Sequence, residues 1–328
     1  LNALERAEAS LAPRACADEL QALRTRFPLP DEAAWMDPYV DSVDIGGFVL
    51  HLAGFAVQFR GECITGSAGS PKEPPVVRAY MELVERLVVA STSSAPKAAS
   101  VGAAGETAFR PARSNGVAIG RTPEDAAERA TWELVERDRI LRSWYGDAAP
   151  IPALVPRVPE PLLDLYSFEA CLFEPTRGIQ TAGVFGFPRH DAPLIYGFAA
   201  RDDAPAAIIG ARDECLQRLG FLWGEDVPVA APDPLPTPSF HQDYFLYPAH
   251  HGSLRAWLKG EHARFRGLLT CSETLGAPTI EALRPPWLSP FLHVARAAPS
   301  GHVPLGFGAA HPLVRRPVPP GAAVHPIV

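Results

Sequence analysis

One pentapeptide constrains this chain more than any other feature. Glu-Leu-Val-Glu-Arg occurs twice, letter for letter, at residues 82–86 and 133–137. Carboxylates three residues apart share one helix face, and an arginine four residues after the first lies on that face too. Both copies fall inside stretches that read as helices, each following a loop that contains Gly and Ser. Packed side by side, two such helices bring Glu82, Glu85, Glu133 and Glu136 together. Two readings follow. One is a pair of solvated helix faces with local Glu–Arg bridges. The other is a shared site, because four carboxylates held in a low dielectric need cations. An oxygen-only donor set suits Mg²⁺, which normally arrives with substrate phosphates. The pattern by itself leaves both open.

The helices around these motifs are legible from their ends. Thr122, with Pro123 in the first turn and Asp125 three residues on, predicts a capped helix running to about Trp144. Pro74-Pro75 opens a helix to about Ala90. Leu4, Ala7, Leu11, Cys16, Leu20 and Leu23 predict a helix over 4–26, kinked or split at Pro13. A last helix is expected over 204–224. Strand-like runs cover 43–52 and 55–59, divided at Gly54, and 181–187 and 194–200, joined around 188–191. The small residues of 65–71 and the low-complexity stretch 91–106 read as loops. Thirty-six prolines, about twice ordinary usage, cluster at 148–163, 227–240 and 310–328. Those clusters mark two linkers or surface loops and an extended tail. The expected organisation is an N-terminal helical segment, 1–40, and one larger α/β domain, 41–328.

Several classes are excluded. Hydrophobic residues at 47% and charged residues at 20% are incompatible with wholesale disorder. A net charge of −7 argues against nucleic-acid binding through bulk electrostatics. No run of about eighteen apolar residues suggests a membrane span. The five cysteines are scattered without a CxxC pair, which reads as reduced thiols in a cytoplasmic protein. No signal peptide is legible, although the first residue is Leu1 rather than Met, which leaves an upstream segment open. His241, His250, His251 and His262 fit no standard zinc spacing and read as loop histidines. Cys215 reads as a core thiol. No GxxxxGK[ST] loop is present.

The stretch Ser114-Asn115-Gly116-Val117-Ala118-Ile119-Gly120, followed by Ala126, the second pentapeptide with Asp138, and Trp144-Tyr145, strongly resembles the signature of the YcaO family. Three weaker blocks follow the same order. Arg78 to Arg86 is similar to an SxxxExxER motif; Gly197 to Ala200 with Glu214 to Gln217 is similar to a glycine strand and ExxQ helix; His293 to Gly308 is similar to the C-terminal strand. The resemblance covers about residues 40–328. It implies a YcaO-like fold of mixed α/β (α+β) class, with mixed or antiparallel sheets and packed helices around a cleft for ATP and Mg²⁺. It also implies ATP-dependent activation of peptide-backbone amides, chiefly cyclodehydration of Cys, Ser or Thr in a ribosomal precursor peptide to azolines. Glu82, Glu85, Glu133 and Glu136 match the family's Mg²⁺ ligands. Arg86, Arg137, Ser114, Asn115 and Gln217 match positions around the nucleotide. A leader-recognition partner protein related to ubiquitin-activating enzymes, and a homodimer, are implied as well.

The departures are specific. A lysine usual in the family's glycine loop is missing from Gly66-Ser67-Ala68-Gly69, and Lys72 comes too late. Arg78 stands where the motif has Ser, Arg121 where Asn is common, and Leu219 where an Arg is usual, with Arg218 one place early. Arg78 and Arg121 are candidate replacements for the lost phosphate contacts, because guanidinium binds phosphate well. The family's proline-rich terminus lies near its catalytic centre, so His325, Pro326 and Val328 are candidate catalytic-tail residues. Three readings stand: an ATP-dependent azoline-forming enzyme, a non-catalytic scaffold with a degenerate nucleotide site, and an ATP-dependent enzyme with another nucleophile that yields thioamides or amidines.

Overall fold

The computed structural model describes residues 3–92, 109–233, 235–261, 269–270, 275–299, 301–308, 311, 313–314 and 324–327, with side chains from residue 15 onward. Helix α1 (Ala3–Arg26) leads into β1 (Ala34–Trp35), β2 (Tyr39–Ile45), β3 (Phe48–Phe59) and β4 (Glu62–Ser70), which form one sheet. Helix α2 (Val76–Thr92) follows, then β5 (Arg110–Pro111), β6 (Val117–Gly120) and α3 (Pro123–Trp144). A second sheet is built from β7 (Ile151–Ala153), β8 (Tyr166–Leu172), β9 (Gln180–Pro188) and β10 (Ile195–Arg201), with the short α4 (Pro161–Leu165) between its first two strands. Then come α5 (Ala204–Leu222), α6 (Pro238–Leu246), α7 (His251–Leu258), β11 (Pro278–Leu283), β12 (His293–Pro299) and β13 (Gly306–Phe307). β6 joins β12 and β11 in a third sheet, and β5 pairs with β13. Every pairing between these strands is antiparallel. The class is mixed α+β, as expected. No helix among the described residues is long and apolar enough to cross a membrane.

Helix α3 starts and ends where its caps predict: the Thr122 side chain accepts from the Asp125 N–H and Pro123 occupies the first turn. Four expectations are corrected. The break expected at Gly54 is absent, because β3 runs straight through it. The reversal lies instead at Gly46-Gly47, both with positive φ, where the Asp44 carboxylate accepts from the Gly47 N–H. The small-residue stretch read as a loop is strand β4. Its residues are small because helices press on it: a Cβ on Gly66 would sit 2.2 Å from Leu83 N and 2.4 Å from Ala79 O of α2. The first proline-rich stretch holds β7, an edge strand where Pro152 needs no ladder partner on its open side. α1 is a single element through Pro13. Residues 93–108, which include most of the low-complexity stretch, lie outside the described residues.

Three apolar clusters set the layers. Phe55, Val57 and Phe59 of β3 pack with Tyr80, Leu83, Val84 and Leu87 of α2, and Leu20 and Leu23 of α1 join them. Ala207, Ala211, Cys215 and Leu219 of α5 lie between Leu50 of the first sheet and Val184, Ile195 and Ala199 of the second. The other face of the second sheet carries Phe185, Tyr196 and Phe198, packed on Trp144 of α3, Phe245 of α6 and Trp257 of α7. Val324 and Ile327 are buried in that same cluster. Residue 40 falls within β2.

Candidate functional site

Three strand–helix units meet at one cleft. In each, an edge strand of a different sheet is followed in the chain by a helix that packs against it: β4 with α2, β6 with α3, and β10 with α5. An open edge leaves backbone N–H groups that need acceptors. Helix carboxylates supply them. Glu82 accepts from Ser67 N at 2.9 Å, Glu133 from Val117 N at 2.9 Å, and Glu214 from Phe198 N. Glu85 crosses from the first unit to the second and accepts from Ile119 N at 2.8 Å.

The arginines of the two pentapeptides repeat one another's contacts. Arg86 pairs with Glu82 at 2.5 Å and donates to Thr65 O at 3.0 Å. Arg137 pairs with Glu133 and donates to Ser114 O at 2.8 Å. Both arginines therefore clamp their own glutamate to the strand that the glutamate caps.

The carboxylates form a chain of mutual repulsion. The Glu85 carboxyl is held well above the usual range, first by withdrawal from solvent and then by the charge of Glu133, with Glu82 adding to it. Glu136 is raised by withdrawal from solvent and then by Glu214. Glu133 and Glu214 are raised by the same withdrawal, opposed in Glu133 chiefly by Arg137 and in Glu214 chiefly by the Phe198 N–H. Protein atoms crowd all four groups, yet the cleft is open: Glu214 is exposed and the other carboxylates are half-buried.

The donor set fits Mg²⁺ in its chemistry, being all oxygen and short of positive charge. Among the described residues, however, no three acidic, histidine or thiol groups stand as a ready-made metal cluster. Glu82 and Glu133 each already hold an arginine and a backbone N–H. Asn115 sits beside the second clamp with a buried Oδ1 that has no hydrogen-bond partner among the described residues.

The remaining sequence candidates divide. Arg78 donates to Gln217 Oε1 at 3.2 Å, which joins α2 to α5 across the cleft. Arg121 is exposed at the start of α3, where its backbone N–H donates to Asp125. His325 is buried, its Nε2–H donating to Gly306 O at 2.7 Å while its Nδ1 accepts from Ile327 N at 3.3 Å. Pro326 is buried beside it. Val328 and His262 lie outside the described residues. His241, read as a loop histidine, is a buried residue of α6 instead. Its Nδ1–H donates to His325 O and its Nε2 accepts from Gly308 N, both at 3.0 Å. His250 stacks on Tyr244 with ring centroids 3.7 Å apart.

Two residues were named in the sequence only as letters of larger motif blocks, without a role of their own. Asp138 is buried where it accepts from Arg139, Arg142 and the Val303 N–H, tying α3 to the segment before β13. Glu214 belongs to the carboxylate chain. Its signal was present: Glu-Cys-Leu-Gln-Arg at 214–218 has the letters of the pentapeptide at its first and last positions. Gly197 confirms the equivalence in space, since a Cβ there would meet Cys215 N at 2.3 Å and Ala211 O at 2.5 Å, as Gly66 meets Leu83 and Ala79.

Comparison with known proteins adds the following. A family model described as YcaO cyclodehydratase, ATP- and Mg²⁺-binding, matches residues 97–283. None of the curated proteins matches the sequence. Among solved structures, YcaO from Methanopyrus kandleri bound with AMPPCP and Mg²⁺ is similar over 86% of this chain and 90% of that one, with a TM-score of 0.57 and 17% identity. The Escherichia coli microcin synthetase McbBCD complex is similar over 81% of this chain and 90% of that one, at a TM-score of 0.47 and 9% identity. A heterocyclase in complex with substrate and cofactor shares 19% identity over 58% of this chain and 28% of its own, at a TM-score of 0.35.

Proposed function

The chain belongs to the YcaO family, and we propose that it is an enzyme that activates peptide-backbone amides, with a Cys, Ser or Thr of a ribosomal precursor peptide as the internal nucleophile and an azoline as the product. Its cofactors are ATP and Mg²⁺. One observation carries the reading: five carboxylates from three helices share one open cleft, and each raises the proton affinity of the next or is held by an arginine. Arg86, Arg137 and Arg201 offset part of that charge, and a divalent cation would stabilise what remains.

Glu82, Glu85, Glu133 and Glu136 would hold the metal. Arg86 and Arg137, each paired with its own glutamate, would set which carboxylate oxygens face the cleft. Arg78, Arg121, Gln217, Ser114 and Asn115 would surround the nucleotide, with the orphaned Asn115 Oδ1 as an acceptor for a donor on the ligand. Bound there, MgATP supplies the phosphoryl group that makes the amide oxygen a leaving group. The protein's share is positioning and charge neutralisation. The C-terminal tail would border the substrate, with the buried His325 as its anchor. A leader-recognition protein and a second copy of the chain complete the proposed assembly.

Calorimetry tests this. MgATP should bind the wild type, and binding should vanish with chelator and in Glu133→Gln or Glu136→Gln while both variants stay folded. Affinity indifferent to chelator would sink the reading. A second reading, a scaffold that has lost nucleotide, draws on the absence of a ready-made metal cluster among the described residues. It predicts no MgATP binding by the wild type.

A further inference from the structure

One arginine beside the carboxylates belongs to neither pentapeptide. Arg201 is the last residue of β10, the strand whose Phe198 N–H is taken by Glu214. Its guanidinium is lodged between two helices. On α5 it lies against Gly210, where a Cβ would sit 3.4 Å from Nη2 and 3.6 Å from Cζ. On α3, the Trp132 ring has its centroid 5.3 Å from Cζ, and Asp202 holds that ring by accepting from its Nε1–H at 3.3 Å. Nη1 donates to Ala200 O at 2.6 Å. Gly210 lies one turn before Glu214 on α5, and Trp132 one turn before Glu136 on α3. The guanidinium is therefore fixed about a helical turn from both carboxylates. Burial raises both carboxyls, and the charge of Arg201 opposes it in each.

Its mode of action differs from that of the pentapeptide arginines. Arg86 and Arg137 are spent on their own glutamates and on a strand carbonyl. Among the described residues Arg201 forms no ion pair, and Glu136 makes neither an ion pair nor a hydrogen bond. Arg201 acts on Glu136 and Glu214 through space, by charge alone. Removing that charge leaves the bonds from Glu82, Glu133 and Glu214 to their strands in place.

We propose that Arg201 is the resident counter-charge of the Glu136–Glu214 end of the cleft, a positioning residue that keeps the affinity of these carboxylates for a bare divalent cation low. A cation that enters alone meets the repulsion of the guanidinium. A cation that enters with a polyphosphate brings negative charge that offsets it. The cleft thereby favours a metal–polyphosphate over the free metal. The inference rests on the metal and nucleotide reading above.

Mn²⁺ without nucleotide is the probe, its binding followed by electron paramagnetic resonance, with near-ultraviolet circular dichroism as the check on folding. Arg201→Gln and Arg201→Met should bind Mn²⁺ about fivefold or more tightly than the wild type, and Arg201→Lys within about twofold of it. Adding Glu136→Gln to Arg201→Gln should diminish the gain. Folded neutral variants that bind Mn²⁺ no better than the wild type overturn the proposal, as does a gain that persists undiminished with Glu136→Gln. If the neutral variants fold only when Mn²⁺ is added, the cation has replaced the guanidinium and the proposal holds. If they do not fold even then, Arg201 is a structural residue and the proposal falls. MgATP bound by the wild type with no Mn²⁺ gain in the variants defeats this inference alone. A Mn²⁺ gain in a protein that binds no MgATP defeats the nucleotide reading alone.

Discussion

Glu85 on α2 reaches out of its own unit and accepts the Ile119 N–H of β6 at 2.8 Å. That one bond couples the two copies of the pentapeptide, and it places a carboxylate raised by burial and by Glu133 between them. Replacing it therefore separates two roles. Glu85→Gln keeps an acceptor for Ile119 and removes the charge. In the absence of Mg²⁺ it should be at least as stable as the wild type at pH 8, with MgATP affinity reduced tenfold or more. Glu85→Ala leaves the N–H unpaired and should lose about 1–3 kcal/mol. Denaturation midpoints and calorimetry distinguish the two, and a Gln variant less stable than the Ala variant would contradict the assignment.

The buried histidine pair gives a pH dependence of definite sign. Burial holds His241 down to about 4, opposed by its bond to the His325 carbonyl, and burial with the neighbouring His241 holds His325 well below its ordinary value. A depressed histidine contributes stability that is present above the unfolded value, about 6.5, and lost as pH falls toward the folded one. The cleft carboxylates, being raised, push the opposite way over part of that range. The difference in unfolding free energy between wild type and His241→Asn isolates the histidine. That difference should grow by about 2 kcal/mol from pH 5 to pH 6.5; a flat difference would mean that His241 is not buried neutral.

Asp138 accepts from two arginines and from Val303 N at 2.8 Å in a buried setting, and Arg142 goes on to the Gly301 carbonyl at 2.6 Å. Asp138→Ala strands that charge, and loss of one partner from a buried ionic group costs about 3–5 kcal/mol. Urea denaturation should show this. A change below about 1 kcal/mol would indicate that water or other groups replace the carboxylate.

Gly66→Ala and Gly197→Ala should each destabilise by about 1–3 kcal/mol or more, because the new methyl meets helix backbone. Both should also weaken MgATP, since pushing the helix off its strand moves Glu82 or Glu214. Gly252→Ala in α7, where a Cβ meets nothing within 4 Å, is the control and should be neutral or stabilising. Equal effects at all three positions would remove the close-packing argument.

What the sequence determined by itself was local. The start of α3 follows from Thr122, Pro123 and Asp125, because a cap is decided within four residues. The pentapeptide placed two carboxylates on one helix face, because its spacing is a property of one helix turn, and left open whether the two copies meet. The tertiary structure decided whatever depends on distant neighbours. β4 looked like a loop because its small residues serve the helices that press on it. His241 looked solvated because its partner, His325, lies far along the chain. The third unit was hidden because only its first and last letters match, and its kinship lies in what Gly197, Glu214 and Phe198 do in space. Hydrogen bonds to strand edges and backbone close approaches are long-range facts, and no periodicity in a single segment encodes them.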